Sequence, residues 1–406
     1  MLVSNRIIIS TVFWLSVLLY SSIDLSRFGL SQLQSPLKAA FVVFFVILFA
    51  FALIPKGRLT SSFGTKALFV YFLVALISAS WSSDISATLV SLTGFFGLLC
   101  ATAFYEGKKF ELDHIAGGFL VSSSLIIISS LILIPFSGLR LFDFLQGQWR
   151  FSGITFGAHS IARIGVFSII SALHLTRRGK IGIFWLIAVC SASLVVIYLS
   201  DSRQAYAGIF WVIFCIIYIF YSKSAVKKIV IIKLGLLALI ALGLVMPNNL
   251  EEVFLIASRS GGLNEITTFT GRTYVWEAAL DLINNQVFMG YGFGTGGFVL
   301  EGFYRSETSD WSTTSAHNMW LHASLDLGVV CATLFVIIIV WFSVRAWYYR
   351  SFFFMATTGF IVLIGVLERS LAGPLDYMII IVVLSCSKSL VCQGSEVSSN
   401  TLQIRR

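Results

Sequence analysis

Long apolar runs follow one another through this chain almost without interruption, and they constrain it more than any motif. They lie near 7–23, 37–54, 67–81, 85–105, 115–136, 161–175, 181–199, 205–221, 229–246, 320–344, 352–368 and 374–392. About 20 mostly apolar residues in a helix cross the hydrocarbon core of a bilayer. Only 12% of the 406 residues are charged, about half of the 25% usual in soluble domains. Too little polar surface remains to coat two or three soluble domains, so a soluble enzyme, a secreted disulfide scaffold and a disordered tail are all excluded. The expected fold is an all-α polytopic membrane protein of about twelve transmembrane helices.

The basic residues orient those spans. With a cytoplasmic N-terminus, the inner loops hold Lys56, Arg58, Lys66, Lys108, Lys109, Arg177, Arg178, Lys180, Lys223, Lys227, Lys228, Arg345 and Arg350. That pattern obeys the positive-inside rule and puts both termini in the cytoplasm. Arg6 precedes the first run and no small-residue cleavage site follows it, so that run reads as a retained helix. The same rule accounts for the net charge of +9, and no nucleic-acid partner is expected. The six cysteines show no CxxC pair and read as small hydrophobes, with neither disulfide nor metal implied.

The chain divides into spans one to nine (1–246), an outer loop subdomain (247–316), spans ten to twelve (317–393) and a cytoplasmic tail (394–406). Val275, Ala278, Ala279, Leu282 and Ile283 fall at helical spacing, which predicts an amphipathic helix over 273–285 within the outer segment. Two matched halves are not apparent, and this weighs against a transporter built from repeats.

The outer cations are arginines: Arg27, Arg140, Arg150, Arg163, Arg203, Arg259, Arg272, Arg305 and Arg369, with Lys38 the only lysine. Topology would not distinguish arginine from lysine. Oxyanion recognition would, because guanidinium offers a planar fork of donors. The competing use is structural pairing with outer acids such as Asp201, Glu251, Glu252, Glu265, Asp310 and Asp326.

Four constellations concentrate this chemistry. Asp201-Ser202-Arg203-Gln204 lies at the outer end of span seven, where a charge at membrane depth should face a protein-lined cavity. Thr270-Gly271-Arg272-Thr273 opens the amphipathic helix, where free N–H groups favour an anion. Gly290-Tyr291-Gly292-Phe293-Gly294-Thr295-Gly296-Gly297 reads as a flexible loop closing over substrate and is no nucleotide-binding loop. Ser315-Ala316-His317-Asn318 enters span ten, and an imidazole there can take a proton from a hydroxyl near neutral pH. His322 lies five residues beyond His317, off its helical face, so a metal pair is not expected. Trp149-Arg150-Phe151-Ser152-Gly153, His159 and Arg163 add a further group before span six.

Taken in order on one side, these motifs resemble the O-antigen ligase and O-antigen polymerase superfamily over roughly 145–330. The Thr-Gly-Arg-x-x-x-Trp helix, the Gly-Tyr-Gly-Phe-Gly loop and the Arg-Phe-Ser-Gly segment look most like its exopolysaccharide polymerase branch. The resemblance implies a metal-independent, inverting glycosyltransferase of the bacterial inner membrane, acting at its outer face without a cofactor. Its donor would be a glycan on undecaprenyl pyrophosphate. By the same resemblance Arg203 and Arg272 hold the pyrophosphate, with Arg163 and Arg150 as additions, and His317 is the general base. His159, Asn318 and Asp201 are supporting residues. A chain-length regulator is an expected partner. Polymerising repeat units, ligating finished glycan to lipid A-core or protein, and flipping a lipid-linked sugar remain the alternatives.

Overall fold

The computed structural model describes residues 5–53, 62–108, 110–136, 139–145, 148–221, 272–305, 312–348, 351–369 and 376–385. The expected span at 229–246, the first part of the outer segment and the cytoplasmic tail lie outside the described residues. The described helices are α1 (Asn5–Ser22), α2 (Gln34–Leu53), α3 (Phe63–Ile77), α4 (Ile85–Gly107), α5 (Leu112–Ile132), α6 (Ala158–Arg177), α7 (Ile183–Ser200) and α8 (Arg203–Tyr221). They continue with α9 (Arg272–Asn285), α10 (Gly296–Phe303), α11 (Met319–Tyr348), α12 (Phe352–Leu367) and α13 (Tyr377–Leu384). One antiparallel hairpin, β1 (Phe142–Leu145) and β2 (Gln148–Phe151), follows α5. Eight of the described helices are long and apolar enough to cross a membrane, and α8 and α12 are shorter apolar helices. The chain is an all-α membrane protein.

Capping side chains start several of these helices. Asp84 accepts from Ala87 N ahead of α4, and Asp376 accepts from Met378 N ahead of α13, each satisfying a donor the helix itself leaves unpaired. Inside the bundle, buried hydroxyls turn back onto their own helix: Thr102 donates to Leu98 O, Ser171 to Phe167 O and Thr358 to Phe354 O. With no water available, that is how a hydroxyl is kept satisfied at membrane depth. Val330, Leu334, Ile337, Trp341 and Val344 stay exposed along one face of α11, the stripe that a helix presents to lipid.

Two ends of the bundle can be told apart. At one, Asp113 accepts from His174 and pairs with Arg178 and Lys180, while Glu106 caps α3 through Ser62 and Thr65. At the other, Phe156 N donates to Ser22 O, Ile23 bridges Thr155, and the loop after α3 holds Met289 and Tyr291 through Trp81 and Ser83.

Span ten is kinked: Gly328 has φ +81 and ψ 165 and breaks α11 there. The glycine-rich loop, read from the sequence as a flexible closure over substrate, packs into that kink. Tyr291 N donates to Leu325 O at 2.7 Å, Gly292 N to Asp326 O at 3.0 Å and Val329 N to Val287 O at 2.8 Å. Carbonyls freed by the break are thereby satisfied. The residues before the kink pack with α9 and α10 in a second hydrophobic cluster of Val275, Ala278, Ala279, Leu282, Ile283, Leu300, Ala316, Leu321 and Leu325.

A Cβ on Gly328 would lie 2.1 Å from Phe288 O, and the position has glycine-only backbone angles. Gly328→Ala is therefore expected to destabilise the protein by at least about 1–3 kcal/mol, read as a lowered thermal midpoint in detergent. Gly117→Ala, in α5 with nothing within 4 Å of the added Cβ, should leave the midpoint unchanged or raise it.

Candidate functional site

Glu368 is where the distant segments meet. Helix α12 ends at Leu367, Glu368 takes an extended backbone (φ −148, ψ 156), and its carboxylate turns into the bundle at 13% side-chain exposure. Arg272 Nη2, from the first residue of α9, donates to Oε1 at 3.1 Å. Arg163 Nη2, from the second turn of α6, stands 3.8 Å from the same oxygen. His317 Nδ1 lies 3.4 Å from Oε2. Gln204 links the group, donating through Nε2 to Glu368 Oε1 at 2.8 Å and accepting from Arg163 Nη2 at 2.8 Å and Nε at 3.2 Å.

Local structure explains each placement. Asn318 caps α11, its Oδ1 accepting from Trp320 N at 2.9 Å and Leu321 N at 3.0 Å. Its Nδ2 donates to Val366 O at 3.1 Å, tying the start of α11 to the end of α12. Between the fully buried Ala316 and this cap, His317 is forced into the left-handed region at φ +47. A non-glycine residue held there is strained, a state common at functional sites.

His159 and the α7–α8 turn form the next layer. His159 Nδ1 lies 2.9 Å from Ser202 Oγ, and its ring is within electrostatic reach of Glu368, Arg163, Arg150 and Arg272. Arg203 opens α8, partly buried, between Ser202 and Gln204. Asp201 ends α7 in the left-handed conformation, at φ +45. Arg150 is 4% exposed and donates from Nε to Ser200 O at 3.0 Å and from Nη2 to Asp201 O at 3.2 Å. These bonds occupy carbonyls at the end of α7, where cations are favoured.

Structural pairing does claim Arg27. Arg27 forms a bidentate pair with Asp143, with Nη2 to Oδ2 at 2.8 Å, and also donates to Arg140 O at 2.8 Å. It fastens the β1–β2 hairpin to the turn after α1.

Electrostatically, Glu368 is the shared counter-ion. Burial by itself would raise its carboxyl. The His317 contact, the Arg163 charge and the two imidazoles outweigh that and hold it well below the usual carboxylate range, as cations beside a carboxylate must. Two guanidinium groups lie within 4 Å of this one carboxylate.

Sequence reasoning missed Glu368 and the role of Gln204. Both sit at the margin of an apolar run: Glu368 is the last residue of the run at 352–368, and Gln204 closes the Asp201-Ser202-Arg203-Gln204 segment ahead of span eight. An acid at the edge of a span, followed by Arg369, was the available signal, since charge at that depth calls for a partner.

Residues 186–336, a little over a third of the chain, match the family model described as O-antigen ligase. That similarity supports the resemblance to the O-antigen ligase and polymerase superfamily. The match takes in Arg203, Gln204, Arg272, His317 and Asn318, while Arg150, His159, Arg163 and Glu368 lie beyond it. Among curated proteins, none matches the chain.

Proposed function

We propose that this chain is a membrane glycosyltransferase that moves glycan from undecaprenyl pyrophosphate to an acceptor hydroxyl at the outer face of the inner membrane, polymerising repeat units. The observation that carries the reading is the meeting of Arg163, Arg272 and His317 around Glu368 from three separate parts of the chain. The positive-inside pattern supports an outward orientation for that end of the bundle.

In this reading Arg272 and Arg163 bind the pyrophosphate and stabilise it as it leaves, with Arg203 on the adjoining turn. A sugar on pyrophosphate is already activated, so leaving-group stabilisation and proton removal suffice. His317 presents Nδ1 to Glu368, which fixes the tautomer and leaves Nε2 to accept the acceptor's proton. The acceptor oxygen bonds to the anomeric carbon as the carbon–oxygen bond to pyrophosphate breaks, so one direct displacement inverts that centre. Arg150 and Asp201 act through the backbone by holding the α7–α8 turn, and His159 and Asn318 position their neighbours.

The ligase alternative would use the same donor pocket and differ in acceptor. The carrier alternative calls for charge along the whole depth of the bundle, whereas the ionic contacts described above lie near its two ends.

Purified full-length protein, supplied with a lipid-linked repeat unit, should produce a ladder of extended glycan. Arg272→Ala should lower that rate about 10²–10³-fold, the usual effect of removing one group that stabilises developing charge. Transfer to lipid A-core without a ladder would select the ligase. Extension at the normal rate by Arg272→Ala would remove the anion site from the mechanism.

A further inference from the structure

The β1–β2 hairpin carries aromatic residues that the cluster around Glu368 does not use. In its register Phe142 pairs with Phe151 and Phe144 with Trp149, so all four rings share one side of the hairpin. At one end Phe151 is fully buried, with its ring centre 5.2 Å from that of Phe142. At the other, the Phe144 and Trp149 rings lie 5.1 Å apart, meet at 54°, and are 59% and 68% exposed. The first pair anchors the hairpin in the core, and the second forms a shallow open trough.

Two strands alone are only marginally stable in water, and this hairpin is clamped in place. Its opposite side carries Asp143 and Arg150, paired in register. Arg27 holds Asp143, and Arg150 is bound to the carbonyls of Ser200 and Asp201. Ser152 N and Gly153 N both donate to Leu141 O, at 2.9 and 3.0 Å. These ties fix the hairpin against the α7–α8 turn, which leads directly into Arg203 and Gln204.

What the trough can hold follows from where such a hairpin can sit. Among the described residues no third strand pairs with either edge, and hydrocarbon tolerates no open sheet edge. The residues joining the strands are Gln146 and Gly147, followed by the exposed Gln148. The two rings therefore face water and not acyl chains. At about 150–250 Å² each, they fall well short of the roughly 800 Å² per side of a stable protein interface. A sugar ring fits them, because its C–H face packs on an aromatic face while its hydroxyls stay in water.

We propose that Phe144 and Trp149 form a saccharide-binding subsite, which holds the glycan chain beside the anion cluster at sugars beyond the one that reacts. This rests on the glycosyl-transfer reading above. It gives the glycan itself, as distinct from the phosphate and the lipid, a place on the protein.

Lipid-free oligosaccharide, released by mild acid from the lipid-linked repeat units of cells that make this protein, is titrated calorimetrically into full-length protein in detergent. Trp149→Ala with Phe144→Ala should weaken binding about tenfold or more, with the thermal midpoint and the affinity for undecaprenyl pyrophosphate retained. Trp149→Tyr should keep most of the oligosaccharide affinity and Trp149→Leu should not, since only the former keeps an aromatic face. No binding by the wild type, or equal affinity in the wild type and the Ala pair, would overturn the subsite. Full affinity in Trp149→Leu would overturn it too, by reassigning the rings to general apolar contact such as the lipid interface. If the Ala pair loses the oligosaccharide while Arg272→Ala binds undecaprenyl pyrophosphate as the wild type does, the donor reading fails and the subsite stands.

Discussion

His317→Ala is expected to lower glycan transfer by about 10²–10⁴-fold, the range spanned by removal of a positioned general base, while donor binding persists. The separation follows from the geometry. Arg272 and Arg163 reach Glu368 Oε1, whereas His317 approaches the other oxygen at 3.4 Å, so truncating the imidazole leaves both guanidinium contacts intact. The substitution also relieves little of the backbone strain at φ +47, because alanine is no better suited to that region than histidine. A stability change should therefore be small beside the rate change. Single-turnover transfer and equilibrium donor binding, measured on one preparation, check this. Wild-type transfer rates would remove His317 from the proton path, and lost donor binding would make it a binding residue instead.

Glu368→Gln should have the next largest effect, on turnover and on stability together. The carboxylate is the common partner of two guanidinium groups and an imidazole. Breaking a buried ion pair by removing one partner costs about 3–5 kcal/mol, an upper bound here because glutamine keeps one acceptor oxygen. Turnover should fall at least tenfold, about 1.4 kcal/mol in the barrier, since the amide does not hold His317 Nδ1–H as a carboxylate does. The pH dependence has a definite sign. The folded-state carboxyl is held below its ordinary value, so its stabilisation is complete above the unfolded-state value of about 4.3. It is lost as pH falls from there through the depressed folded-state value. The gap in thermal midpoint between wild type and Glu368→Gln should be constant from pH 7 to about 5 and narrow below about 4. A gap that widens on acidification would contradict the assignment of Glu368 as the shared anion.

Much of the helical framework was legible beforehand because hydropathy and periodicity are local properties. The run at 85–105 became Ile85–Gly107 and the run at 181–199 became Ile183–Ser200. In α9 the five residues at helical spacing, Val275, Ala278, Ala279, Leu282 and Ile283, are the ones that are buried. Each depends only on transfer of nearby side chains out of water and on the helical repeat. The kink at Gly328 was not legible. A lone glycine inside an apolar run is compatible with a continuous helix until another segment, here 287–292, supplies donors for the carbonyls that a break exposes.

The candidate site divides the same way. Arg163, Arg272 and His317 were recognisable as outer cations and an imidazole, and the structure brings them together. Arg27 and Arg150 carried the same local signal, yet Arg27 is bound to Asp143 and Arg150 to the carbonyls of Ser200 and Asp201. Residue type and depth tell that a charge needs a partner but not which one, because the partner lies tens to hundreds of positions away. The amino-acid order alone specified a helical membrane chain. Only tertiary packing chose which guanidinium groups meet, placed Glu368 between them and turned the glycine-rich segment into a wedge, since those outcomes depend on distances between segments that no local free energy contains.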